Sequence, residues 1–310
     1  MFGAIRPLTT LNSQTLRPLL DDESEAWRAE LGWDIASTAD LIVRSAALNR
    51  IEGMVMVRSG RAVAYTYYHA REAKSVIGSA HAMRRPEAPG ALAKVLDRSL
   101  RFLIDELKTR RIEGQFLYFG SEDLGRVFAN WGFRLFAREF LSRDAAGLLA
   151  LLAPAPELHL RRLGASALRS AAHVVHASFA DAVDRDMSDC YESVEGCLGF
   201  LEGIVQRHGC GINLPAASFI AYEGSTPAGI VVTSRIGPRT AHVVQISVRP
   251  DRQRRGIGAG LLYAAIQALR EEGFERVTLS VSLENASAYR WYRRLGFETV
   301  KGFSAHVYTK

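Results

Sequence analysis

Four arginines fall within seven residues at Arg249-Pro250-Asp251-Arg252-Gln253-Arg254-Arg255, and the run leads straight into Gly256-Ile257-Gly258-Ala259-Gly260. Those types at that spacing suit an anion, and a phosphate in particular. Glycines remove the Cβ atoms that would keep phosphate oxygens away from backbone N–H groups. Arg252, Arg254 and Arg255 add candidates for charge-assisted hydrogen bonds. A helix opening at these glycines would present unpaired N–H groups and the positive end of its dipole. Two well-known phosphate loops do not fit. A Walker A loop needs a lysine after its last glycine, and none follows here; a dinucleotide fingerprint needs a third glycine where Leu261 stands. The pattern that fits is Gln/Arg-x-x-Gly-x-Gly/Ala after a strand ending in Val-x-Pro, met by Gln253, Gly256 and Gly258.

The elements that must position this loop are legible around it. Residues 218–222 and 228–233 read as strands joined by a turn. Residues 242–248 read as a third, with Val244, Ile246 and Val248 on one face and Gln245 and Ser247 on the other. After the loop, Leu261, Leu262, Ala265, Ile266 and Leu269 recur at helical spacing over about 259–272, with Gly273 as a stop. Residues 276–283 alternate strictly, 285–295 form a short helix with Asn285 as N-cap, and 297–308 end in strand-like sequence.

The first half repeats this plan more weakly. Strands are expected at 54–58, 62–68, 75–83 and 115–119, an amphipathic helix at 92–108 and a short helix at 123–130. Trp131-Gly132-Phe133 stands 164 residues before Leu295-Gly296-Phe297, and Arg85 stands 168 before Gln253. Two anchors agreeing this closely indicate a duplicated unit of about 150 residues. The expected division is a domain over 1–150 and another over 156–310, with the boundary near Pro154–Pro156 and the intervening apolar stretch packed rather than free.

With these residues in place the sequence resembles the GNAT family, the GCN5-related N-acetyltransferases. The resemblance covers 218–310 and rests on three motifs in order: Ile246-Ser247-Val248-Arg249-Pro250, the loop from Gln253 to Ala259, and Asn285-x-x-Ala288-x-x-Trp291-Tyr292-x-x-Leu295-Gly296-Phe297. It implies an α/β (α+β) fold of two tandem GNAT-like domains, each a mixed, mostly antiparallel sheet flanked by helices. It also implies acetyl-CoA as cosubstrate and transfer of the acetyl group to an amine. Gln253, Arg254, Arg255, Gly256, Ile257, Gly258 and Ala259 would cradle the coenzyme's pyrophosphate. Backbone N–H groups of Ile246, Ser247 and Val248 would polarise the thioester carbonyl, Asn285 would touch the pantetheine arm, and Tyr292 would protonate the departing thiolate. The first copy departs from the pattern: Ala88 replaces a glycine, Pro89 offers no N–H, and Phe128 stands at the Tyr292 position. The first copy is therefore expected not to bind coenzyme A productively.

An amine with a pKa of about 10.4 is about 3.4 units from neutral at pH 7, and supplying its free base costs about 4.6 kcal/mol. Many family members place a carboxylate before the loop, but this chain has Gln245 there. His242, Asp181, Asp184, Asp186, Asp189, Glu192 and Glu195 remain as candidate bases. His173 and His176 are spaced to share a metal, yet no third ligand is evident, and no metal is expected. Three cysteines, Cys190, Cys197 and Cys210, are too few for a disulfide framework.

With 48% hydrophobic and 23% charged residues, the composition is that of a globular protein rather than a disordered one. No apolar run approaches the roughly 18–20 residues of a membrane span, and no secretory leader is visible, so a cytoplasmic location is expected. The formal charge of +6 permits an anionic partner without selecting one. Nucleic acid is disfavoured because no aromatic stacking residues lie in the arginine loop. The expected partner is an amine-bearing small molecule or peptide, without membrane involvement; a homodimer is compatible. The alternative reading is a non-catalytic acyl-CoA sensor or partner-binding module of the same fold.

Overall fold

The computed structural model describes residues 3–48, 50–84, 89–155, 157–207 and 210–310; Arg85 and Ala88 of the first-copy loop lie outside them. The chain divides into two compact units, Met1–Ala137 with Phe303–Lys310, and Arg138–Gly302.

The first unit begins with β1 (Ala4–Pro7), then two helices, α1 (Ser13–Leu31) and α2 (Ala36–Ala47). Three antiparallel strands follow, β2 (Glu52–Arg58), β3 (Arg61–His69) and β4 (Lys74–Ala82). Then come α3 (Ala91–Arg101), β5 (Arg111–Gln115) and α4 (Leu124–Asn130). The helix expected over 92–108 ends earlier than its pattern, passing into a wider turn over Phe102–Glu106. The strand expected at 115–119 lies at 111–115 instead. The apolar run Phe116-Leu117 drew the expectation forward, but those side chains are buried just past the strand. Asn12 caps α1, accepting from Thr15 N at 2.9 Å, and Gly32, at φ +65°, ends it.

The second unit comprises β6 (Arg134–Asp144), α5 (Ala145–Leu151), β7 (His159–Arg162), α6 (Leu168–Ser178), α7 (Asp184–Met187) and α8 (Val194–Val205). Then follow β8 (Ile212–Asn213), β9 (Phe219–Glu223), β10 (Thr226–Arg235), β11 (Thr240–Val248), α9 (Ile257–Glu271), β12 (Arg276–Ser282), α10 (Ala286–Arg294) and β13 (Glu298–Thr309). Its strands run in the order β6-β12-β11-β10-β9-β7. Residues 138–144 of β6 pair antiparallel with β12, whereas residues 305–309 of β13 pair with β5 in the first unit. The closing strand of each sequence copy is thus, in large part, a member of the other compact unit.

The core of the second unit lies between α9 and the sheet. Leu261, Leu262, Ile266 and Leu269 are fully buried against Ala228, Val231, Val277 and Val281. Each contributes on the order of 1.5–3 kcal/mol by leaving water. Ala145 and Leu148 of α5 join this core, whereas Leu151, Ala153 and Pro154 are exposed, so the apolar stretch between the copies is packed in its helical part and not, as its composition led one to expect, throughout. Among the described residues no helix is long and apolar enough to cross a membrane.

Candidate functional site

The parting of two strands opens the site. β11 pairs parallel with β12 only from Thr240 to Val243, opposite Arg276 to Leu279, and the ladder then stops. On its other side β11 stays paired with β10 as far as Val248, opposite Gly229. The N–H of Arg249 continues that side, donating to Ala228 O at 3.0 Å. Because backbone groups alternate along a strand, the N–H groups of Ile246 and Val248 face the unpaired side, and that of Ser247 faces β10. A bulge in this ladder at Val232/Thr233 shifts the side-chain phase as well. Val244 therefore packs with the α6–α8 core while Ile246 and Val248 pack towards α9, contrary to the single face expected for the three. Gln245 donates to Ser247 Oγ at 2.7 Å on the opposite face.

The arginine loop follows. Gln253 Nε2 donates to Val248 O at 3.3 Å and ties the loop to the strand end. Arg254 has φ +59° and Gly256 has φ +80°, left-handed backbone that costs a non-glycine residue of order 1 kcal/mol. α9 starts at Ile257 with no side-chain cap, and its first internal bond is from Gly260 N to Gly256 O at 2.9 Å. The N–H groups of Ile257, Gly258 and Ala259 thus precede the helical ladder. A Cβ placed on Gly256 would meet nothing within 4 Å, so the space before the helix is open. This loop fits a phosphate group.

The four arginines are not equally available. Arg252 Nε lies 2.9 Å from Glu223 Oε2 as an ion pair without hydrogen-bond geometry, and Arg255 Nη1 lies 3.9 Å from the same oxygen. Arg249 makes a two-pronged contact with Asp251, at 3.1 and 3.3 Å. Arg254 is exposed and has no carboxylate partner among the described residues. Glu223, on a strand distant in sequence, was invisible to motif reading.

Beyond the loop, α10 carries Tyr292. Its ring is buried between Trp291, at 5.1 Å, and Phe297, at 5.7 Å. Burial, and then the charge of Asp184, push its pKa well above 10. Its hydroxyl makes no hydrogen bond among the described residues. Asn285 caps α10 as expected, its Oδ1 accepting from Ala288 N at 3.2 Å. Its Nδ2 donates to Asp184 Oδ2 at 3.3 Å, and Ser282 Oγ donates to Asp184 Oδ1 at 2.5 Å. Asp184 is buried, whereas Asp181, Asp186, Glu192 and Glu195 are exposed and Asp189 is half-buried.

His242 does not serve as the base that its place on β11 suggested. It is buried, stacked on Phe140 at 5.5 Å, with Nδ1 2.9 Å from Thr278 Oγ1. Burial and the neighbouring Arg138 charge push its pKa down to about 3. An imidazole so disfavoured as a cation takes no proton near pH 7. His173 is exposed and His176 half-buried on α6, and no cluster of three metal-type ligands occurs among the described residues.

The first unit keeps the strand geometry and fills the anion position. β4 and β5 pair in parallel only from Lys74 to Ile77, opposite Arg111 to Gly114. α3 opens after left-handed Gly90, at φ +71°. There the carboxylate of Glu122 accepts from Leu92 N at 3.3 Å and from Ala93 N at 2.7 Å. It satisfies N–H groups equivalent to those left open on α9. At the Tyr292 position Phe128 is fully buried and stacked on His306 at 3.8 Å.

Residues 181–297 match the Acetyltransferase (GNAT) family. The mycothiol acetyltransferase of Saccharomonospora viridis is 44% identical over 69 residues, 22% of this chain and 22% of that protein. The match therefore spans about a fifth of that relative's length. Among solved structures, a GCN5-related N-acetyltransferase from Sphaerobacter thermophilus superposes with a TM-score of 0.66 at 16% identity, over 99% of this chain and 95% of that one. A tandem GNAT protein from the clavulanic acid biosynthesis pathway gives 0.65 at 13% identity, over 99% and 98%. At such identities these likenesses concern fold. Residues 181–297 are thus similar to the acetyltransferase domain of the GNAT family, and the whole chain shares its fold with a tandem GNAT protein.

Proposed function

We propose that the Arg138–Gly302 unit transfers an acetyl group, or another short acyl group, from a coenzyme A thioester to an amine acceptor held beside it. The observation that carries this reading is the uncapped N-terminus of α9, with open space at left-handed Gly256. It stands at the end of a strand that has parted from its parallel neighbour. When bound, the coenzyme supplies an acyl group already activated as a thioester.

The chain's own residues do the rest. The N–H groups of Ile257, Gly258 and Ala259 hold the pyrophosphate, joined by the exposed Arg254 and Arg255. Gln253 keeps the loop on the strand. The N–H groups of Ile246 and Val248, on the unpaired side of β11, polarise the thioester carbonyl, and Ser247 between them keeps the strand on β10. Tyr292 retains its proton at neutral pH, because burial disfavours the phenolate. It is therefore a hydrogen-bond donor to the departing sulfur and not a base. Neither Gln245 nor His242 removes a proton from the acceptor, so an amine of lowered pKa, or water leading outward, fits this site better than an ordinary alkylammonium. The acceptor is an amine-bearing small molecule or peptide. The reduced state of Cys190, Cys197 and Cys210 favours the cytoplasm.

The lack on β11 of a side chain that takes up a proton near pH 7 favours a second reading, an acyl-CoA sensor without turnover. A thiol-release assay with acetyl-CoA and a panel of amines separates the two. Acceptor-dependent release, reduced in Tyr292→Phe, supports transfer; saturable coenzyme binding with no release for any amine supports the sensor.

A further inference from the structure

The buried carboxylate of Asp184 sits between two polar groups of the segment that leads into α10. It accepts from Ser282 Oγ through Oδ1 and from Asn285 Nδ2 through Oδ2. A carboxylate has only acceptors to offer. The amide of Asn285 must therefore turn its NH2 towards Asp184, which leaves Oδ1 for the N–H of Ala288 at the start of α10. The two ends of an asparagine amide have nearly the same shape, so α10's own sequence does not decide between them. Flipped, the NH2 would face the helix N–H, donor against donor, and the cap would be lost. We propose that Asp184 is a positioning residue of the second unit: it orients the Asn285 amide, and through that cap it seats α10 and Tyr292.

Several neighbours agree with this role. Arg138, on the strand beside Ser282, interacts electrostatically with Asp184 and gives the buried carboxylate a countercharge. Tyr292 lies two turns along α10 from the cap and feels the same charge. The side chain of Asp184 joins α7 to the residues before α10. The motif residues Asn285 and Tyr292 thus depend on a residue about 100 positions earlier in the chain that belongs to no motif.

The proposal rests on the transfer reading for its kinetic form, and a reciprocal exchange tests it. Wild type, D184N, N285D and the double variant D184N/N285D are compared as full-length chains. N285D sets two carboxylates together; D184N can turn its amide oxygen to the NH2 of Asn285 and its own NH2 to Ser282 Oγ, and serves as the conservative control. The double variant restores one donor facing one acceptor and leaves a carboxylate oxygen for the helix N–H. The expected result is a kcat at least about tenfold lower in N285D with KM for acetyl-CoA within about threefold of wild type, and recovery of most of that loss in the double variant. Wild-type kcat in N285D, or a double variant no better than N285D, overturns the proposal. Should the wild type release no thiol with any amine, the transfer reading fails alone. The same four proteins then decide by thermal unfolding: a double variant more stable than the summed single effects supports the linkage, and additivity overturns it.

Discussion

At the scale of single residues, the site depends on which polar groups are left open and which are filled. Tyr292 has no hydrogen-bond partner among the described residues to orphan, so Tyr292→Phe should lower kcat by about 10- to 100-fold while leaving the melting temperature nearly unchanged. A large loss of melting temperature would make the hydroxyl structural instead. Glu122 is the opposite case, a carboxylate holding two helix N–H groups. Glu122→Ala should destabilise the first unit by about 1–2 kcal/mol in denaturant titrations, with KM for acetyl-CoA unchanged. His242 gives a pH test. Its folded pKa of about 3 lies below its ordinary 6.5, so the unfolded chain binds the extra proton between those values. Stability should therefore be full above about pH 6.5 and fall as pH drops towards 3, by at most about 5 kcal/mol from this group. A midpoint independent of pH over that window would contradict its buried, neutral state. Sequence supplied Tyr292, Asn285 and the loop because they sit in short-range motifs. Glu122, Glu223 and the role of Asp184 were not legible, since each acts on residues 29 to 101 positions away through folding alone.

At the scale of elements, periodicity located most of the strands and helices that frame the loop, and its failures have local causes. The 115–119 expectation followed hydrophobicity past the end of β5. The single face assigned to Val244, Ile246 and Val248 assumed an unbroken ladder, which the bulge interrupts. α1 and α2 carry no motif, and the buried positions of α1 lie among many charges. The junction of β11 with α9 carries the sharpest element-level prediction. Gly256→Ala meets no steric obstacle but must hold φ +80°, so stability should fall by about 1 kcal/mol. Distortion of the N–H cradle should weaken acetyl-CoA binding about tenfold by calorimetry. Unchanged affinity would place the phosphates elsewhere.

At the scale of the whole molecule, the duplication was legible from two anchors, yet the compact units are not the halves 1–150 and 156–310. Residues 138–144 belong with the second unit and 303–310 with the first. Single-sequence reading sees the order of strands but not their partners, because pairing across a hundred or more residues leaves no local pattern. Removing residues 303–310 should therefore cost hydrogen-exchange protection at 111–115, in the first unit, while residues 240–243 stay protected. Loss confined to the second unit would contradict the assignment. The central claim is a single working phosphate site per chain, on α9, with its counterpart on α3 filled by Glu122. Calorimetric titration of the full-length protein with acetyl-CoA tests it most directly. A stoichiometry of one, retained in Glu122→Ala and weakened about tenfold in Gly256→Ala, is the predicted result. Two equivalents per wild-type chain, or one equivalent indifferent to Gly256, would contradict it.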